Sequence, residues 1–373
     1  MHVCLLTTVL DAYKGGNHLP LLGALRDVRF TVVTNGVKPE SPALPPNVSV
    51  VTLHERLGSY YYGFADARFA RAVLKRYPIR SDFWKQFDLI HLNQTLHSSL
   101  LRLQETGKPV LYFVHHPVSA DLAIAVEESA FASGCVWRMK YLMPGKWQRD
   151  VCRGAQHVAT VSDTVKARLQ EDYGCDGGKI SVVRNGVDGS LFTLMDEAEY
   201  DICAVGSFLH PRKGFRYLLE TYKRISGFGF QIADVGRRSG EQQRALATIP
   251  NVKVHGMVGH DELVRVIQRS KVLISVSLYE GFGLSLIEAL ACGRPVVAFD
   301  GGAVREVLGP IDGRMVVPAR DTGALVDRVR AFTGISVKER SAFREKVLER
   351  YSLEKSAQAL GGLYRGLKSG ESG

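Results

Sequence analysis

The sequence predicts an α/β protein built from two Rossmann-like, doubly wound parallel-sheet domains that face a central cleft. Three observations predict it. Short β-branched runs alternate with helical patterns along the whole chain, as repeated βαβ units require. The runs are continuously apolar, which suits strands covered on both faces. Thirteen such runs are too many for one small sheet, and 373 residues suffice for two ordinary domains.

The first set is HVCLLTT (2–8), VRFTVVT (28–34), VSVVTL (48–53), DLIHLN (88–93), PVLYFVH (109–115), HVATVS (157–162) and ISVVRN (180–185). The second is DICAVGS (201–207), FQIADVG (230–236), VKVHG (252–256), VLISVS (272–277), PVVAFD (295–300) and MVVP (315–318). Asn185-Gly186 signals a turn, and no strand follows until about residue 201. The expected domains are therefore 1–190 and 191–350, with a closing segment 351–373. In such sheets ligands bind beyond the carboxyl ends of the strands, where loops meet helix N-termini.

Bulk properties narrow the function. No apolar run is long enough to cross a bilayer, and the N-terminus lacks the basic residues of a signal peptide. Six cysteines stand without a CxxC pair, several inside apolar runs, which points to core thiols and a cytoplasmic setting. The formal charge is +10, from 48 Lys+Arg and 38 Asp+Glu. Residues 1–190 carry 22 basic against 17 acidic side chains and the remainder 26 against 21, so each half contributes +5. A phosphate-bearing ligand or an anionic membrane surface fits this excess. No dense arginine run or nucleic-acid-binding motif is present, so nucleic acid is not an expected partner.

Four strand-to-helix loops look chemical. LYEGFG follows VLISVS and leads into an apolar helix starting near Leu284. Gly281 and Gly283 admit close backbone approach, and the helix start favours an anion. Ser285 and Glu288, three apart, share a helical face. A carboxylate inside LSLIEALAC needs a partner, either a ligand hydroxyl or a buried arginine. Glu280 is either a ligand group or an exposed loop acid. GFGLSL matches the GxGxxG fingerprint weakly, because Leu286 holds the third glycine position. In VGSFLHPRKGF, Arg212 and Lys213 either neutralise a phosphate or form a solvated pair. Gly15-Gly16, after the first strand, either bring amides to a ligand or make a plain turn. His115 ends strand PVLYFVH, where it either meets a sugar or serves the fold.

Taken in order, these pieces resemble the retaining glycosyltransferases of family 4, which have the GT-B fold. The resemblance spans nearly the whole chain: the Gly15-Gly16 loop, His115, TVSDTVKARL (160–169), NGVD (185–188), the RKG loop, Glu280 to Glu288, the DGG…E segment (300–306) and the closing helix YSLEKSAQALGGLYRGL (351–367). In this family that closing helix crosses back onto the first domain.

The resemblance implies a hexosyltransferase that needs no metal or other cofactor and takes a nucleotide sugar as co-substrate. A UDP-sugar is the first expectation and GDP-mannose the second. The acceptor would be a glycan, a lipid-linked hydroxyl or a small molecule. Glu288 would bind the donor ribose and Glu280 the transferred sugar. The backbone from Gly281 through Phe282, Gly283 and Leu284 to Ser285 would contact sugar and diphosphate. Lys213, with Arg212 beside it, would stabilise the leaving diphosphate. Gly15 and Gly16 would meet the diphosphate from the first domain, and His115 would contact the sugar near its anomeric carbon. Ser207 stands where the family often has arginine; either Arg212 supplies the missing positive charge or the phosphate contacts are fewer. No DxD is present, so the metal-dependent GT-A alternative lacks its ligand motif.

A sugar-nucleotide epimerase or phosphorylase on the same fold, and a non-catalytic sugar-nucleotide-binding protein, are the competing readings. Peripheral attachment to the inner face of a membrane is a further expectation. In FADARFARAVLKRYPIRSDFWK (64–85), Arg68, Arg71 and Lys75 fall on one helical face and Phe69, Ala70, Val73 and Leu74 on the other. The CVWRMKYLMPGKWQR segment (135–149) has a similar basic–aromatic mix.

Overall fold

The computed structural model describes the chain except residues 12–17, 38–42, 59–60, 95–96 and 371–373. The expectation for Gly15 and Gly16 lies outside the described residues. The chain divides into two compact units, Met1–Gly186 with Leu353–Gly373, and Val187–Ser352.

The first unit holds seven strands: β1 (His2–Thr7), β2 (Arg29–Thr34), β3 (Val48–Thr52), β4 (Leu89–Asn93), β5 (Val110–Val114), β6 (His157–Thr160) and β7 (Ile180–Val182). They are hydrogen-bonded in the order β3-β2-β1-β4-β5-β6-β7, every neighbouring pair parallel. β1, β4 and β5 are buried along their whole length, which is why they read as unbroken apolar runs.

The helix Leu353–Ser369 closes this unit. Tyr364 on it is fully buried, and its hydroxyl shares a 2.6 Å hydrogen bond with His91 Nδ1 on β4. Lys368 pairs with Asp88 at 3.1 Å.

The second unit holds six: β8 (Tyr200–Val205), β9 (Ile232–Val235), β10 (Val252–Gly256), β11 (Ser270–Ser275), β12 (Val296–Phe299) and β13 (Val316–Val317). Their order is β10-β9-β8-β11-β12-β13, again parallel throughout. Strand order reverses between β8 and β11, and in the first unit between β1 and β4. The loops leaving the carboxyl ends of those strands sit at the crevice such sheets use for ligands.

The 64–85 segment departs from its sequence reading. It is helical over Phe64–Arg76, stops at Tyr77 ahead of Pro78, and resumes as a 3-10 turn over Asp82–Gln86. Phe69, Ala70 and Val73 are fully buried, so that helix's apolar side faces its own core and is not available to lipid.

Candidate functional site

Two loops meet at the switch point of the second unit. After β8 the chain makes a 3-10 turn, Pro211–Lys213, capped by His210 Nδ1, which accepts from the Arg212 amide at 3.1 Å. Gly214 follows at φ 69°, where a Cβ would strike the Val276 carbonyl, and the helix Phe215–Ser226 begins. After β11, Ser277 to Gly283 lead into the helix Leu284–Ala291, whose start no side chain caps. The Leu278 amide donates to the Arg212 carbonyl at 2.7 Å and ties the two loops together.

The DGG segment holds Glu280 from its other side. The Ala303 amide donates to the Glu280 carbonyl at 2.8 Å, and the Glu280 amide to the Gly301 carbonyl at 3.2 Å. A Cβ at Gly302 would strike the Glu280 carbonyl, so this approach requires glycine. Phe282 is buried edge-on against Tyr351, with ring centroids 5.4 Å apart, and anchors the loop.

Both basic residues turn toward Glu280. Lys213 Nζ donates to Oε1 at 2.5 Å, and Arg212 Nη1 lies 3.9 Å from Oε2 while donating to the Tyr279 carbonyl at 3.1 Å. The Glu280 side chain is 16% exposed. Burial pushes its carboxyl up, but the Lys213 and Arg212 charges and bonds from Lys213 and Ser277 outweigh this and hold it down at about 2. Two cations against one carboxylate leave the cluster with one net positive charge beside an uncapped helix start. That arrangement suits a phosphate.

Glu288, one turn into the helix, is 8% exposed. Among the described residues, no arginine or other donor pairs with its carboxylate, and burial pushes it up to about 7. The buried-arginine alternative therefore fails. The nearby buried Arg294 instead donates to the carbonyls of Met195, Glu197 and Gln268. A buried carboxylate without a protein partner is costly, and ligand hydroxyls would satisfy it.

In the first unit, His115 follows β5 and is half-buried. Its Nε2–H donates to Asn93 Oδ1 at 2.9 Å, and its ring stacks on Phe113 with centroids 4.5 Å apart. Asn93 ends β4, at the strand reversal. His115 lines a small cavity with His91, Asn185 and Ser356. Next to it, His116 Nε2 lies 2.6 Å from Asp121 Oδ1, and its carbonyl accepts from Gln148.

Comparison with known proteins then places the chain. The family pattern described as Glycosyltransferase Family 4 matches residues 22–191, and that described as Glycosyl transferases group 1 matches residues 199–333. An MMP α-(1→4)-mannosyltransferase of Mycolicibacterium hassiacum is 30% identical over 290 residues, covering 72% of this chain and 67% of the relative. The chain belongs to glycosyltransferase family 4. A phosphatidyl-myo-inositol mannosyltransferase of Mycobacterium leprae is 28% identical over 312 residues, 79% of this chain and 76% of that one. The sucrose-phosphate synthase of Thermosynechococcus elongatus shares the fold, with a TM-score of 0.78 at 21% identity over 99% of this chain and 100% of that one. The fold class is GT-B, as the sequence predicts.

Within this glycosyltransferase, two site residues escaped the sequence reading. Ser277 bonds Glu280 but carries no motif of its own. Asn93 was visible only as a polar residue closing an apolar strand. Arg238 stands beside Ser207, donating to the Gly206 carbonyl at 2.7 Å, but its side chain is fully buried and bound to Asp234 at 2.6 Å. It braces the loop rather than presenting charge to a ligand. Arg212 is the cation that joins Lys213 at Glu280, 3.9 Å from its Oε2, while donating to the Tyr279 carbonyl.

Proposed function

We propose that this glycosyltransferase moves a hexosyl group from a nucleotide diphosphate sugar to a hydroxyl acceptor, with retention at the anomeric carbon and without a metal. The observation that carries the reading is the Lys213–Glu280–Arg212 cluster beside the uncapped start of Leu284–Ala291. The bond from the anomeric carbon to the diphosphate oxygen breaks, and one to the acceptor oxygen forms. The acceptor proton passes to the departing phosphate. Negative charge grows on the diphosphate, where Lys213, Arg212 and the helix start stabilise it in place of a metal ion.

Glu280, ionised at any physiological pH, accepts hydrogen bonds from the sugar hydroxyls, and Glu288 accepts them from the ribose. In the first unit, the His115–Asn93 pair is the candidate hydrogen-bonding group for sugar or acceptor hydroxyls. Two relatives are named as mannosyltransferases, which supports a mannosyl group as the one moved. GDP-mannose and UDP-sugars are the two donor classes to compare.

The test is incubation with GDP-mannose or UDP-glucose, with octyl glycosides as surrogate acceptors and EDTA present. The expected result is release of nucleoside diphosphate and a glycoside of the donor's anomeric configuration. Recovery of a sugar nucleotide with altered sugar stereochemistry and no diphosphate release would instead identify an epimerase.

A further inference from the structure

We propose that the long helix Phe131–Gly154 docks this protein on an anionic lipid surface through an exposed apolar stripe that runs into a basic one. The inner side of this helix buries Gly134, Pro144, Trp147, Gln148, Val151 and Cys152 in its own unit. The outer side exposes large apolar side chains: Phe131 at 85%, Leu142 at 68%, Met139 at 57%, Met143 at 39% and Val136 at 38%. At 3.6 residues per turn, Phe131, Leu142, Met139, Met143 and Val136 fall within about 140° on one side of the helix. Single exposed apolar residues need no explanation, but five on one side of one helix do.

Charge selects the occupant. The helix carries Arg138, Lys140, Lys146, Arg149 and Arg153 against Asp150 alone, or 5 − 1 = +4. Lys146 and Arg149 continue the apolar side into the next turns, with Lys146 paired to Asp150 at 2.6 Å. Outside the helix, the nearest acids in sequence are Glu127 and Glu128, which precede it. Lys140 Nζ sits 4.3 Å from the centroid of the half-exposed Trp137 ring, which stacks on Tyr141 at 5.9 Å. Exposed apolar side chains interspersed with cations are the composition that settles at the headgroup level of an anionic bilayer. A second copy of the same face would instead bring like charges together. The proposal rests on this surface and not on the transfer reaction.

The test is co-sedimentation of the full chain with phosphatidylcholine vesicles, with and without phosphatidylglycerol. The wild type is expected to bind the anionic vesicles selectively and to release at high salt. The double variant Met139→Asp/Leu142→Asp, altered at exposed positions, should keep the wild-type melting temperature. Its vesicle affinity should fall about tenfold or more, since it removes two side chains from lipid. Arg138→Glu/Arg149→Glu reads the charge component without touching the apolar line. Equal binding to neutral and anionic vesicles, or both variants binding as well as wild type, overturns the proposal. So does a wild-type dimer in analytical ultracentrifugation that the Asp variant dissociates while neither protein binds vesicles.

Discussion

Lys213→Ala is expected to lower turnover by about 10²–10³-fold, the usual cost of deleting one charge donor aimed at a developing anion. Lys213 is the closer of the two cations, at 2.5 Å from Glu280, with Arg212 at 3.9 Å. Losing it removes charge from the leaving group. It also strips a buried carboxylate of its main partner, so the Glu280 carboxyl rises from its position near 2 and the melting temperature falls. Lys213→Ala/Glu280→Gln separates the two effects: the neutral pair should regain stability and remain slow. A single variant with near-normal turnover on GDP-mannose and UDP-glucose would contradict the role given to Lys213.

Glu288→Gln is expected to gain stability above neutral pH while losing donor affinity. Burial holds the folded-state carboxyl at about 7, above its ordinary value of 4.5. Between these values the folded chain keeps a proton that the unfolded chain has released. Stability therefore falls as pH rises through that window and levels off above pH 7. The glutamine variant lacks this slope, and above the window it should exceed wild type by about 1–3 kcal/mol. Donor affinity should run the other way, rising with pH in the wild type as the carboxylate forms and staying low in the variant. Chemical denaturation across this range, with nucleotide titration beside it, measures both. An unchanged slope in Glu288→Gln would show that the buried carboxylate is not its source.

Most of the fold was legible because parallel strands buried on both faces must be apolar without interruption, as in HVCLLT and VLYFV. Strand ends were less legible. ISVVRN reads as one run, but β7 stops at Val182 and Asn185 turns into the cavity lining beside His115. The site was legible where a loop motif and its chemistry coincide, at Lys213, Glu280 and Glu288. It was not legible where the role depends on residues distant in sequence. Nothing in VLISVS marks Ser277 as a bond to Glu280, and nothing near Ser207 reveals that Arg238 fills the adjoining space. The basic helix near residue 70 shows the same limit from the other side. Its amphipathic pattern is real, but Phe69 and Val73 are fully buried in the core, and the exposed apolar stripe belongs to Phe131–Gly154.

The central claim, that the loops after β8 and β11 hold a nucleotide by its diphosphate, is tested most directly by calorimetric titration. UDP, GDP and ADP are compared with their monophosphates on the wild type and Lys213→Ala. The account predicts that one base is preferred and that its diphosphate binds about tenfold or more tightly than its monophosphate. That gap should shrink in Lys213→Ala while monophosphate affinity stays unchanged. An equal gap in both proteins, or no preference for diphosphate in the wild type, would contradict it.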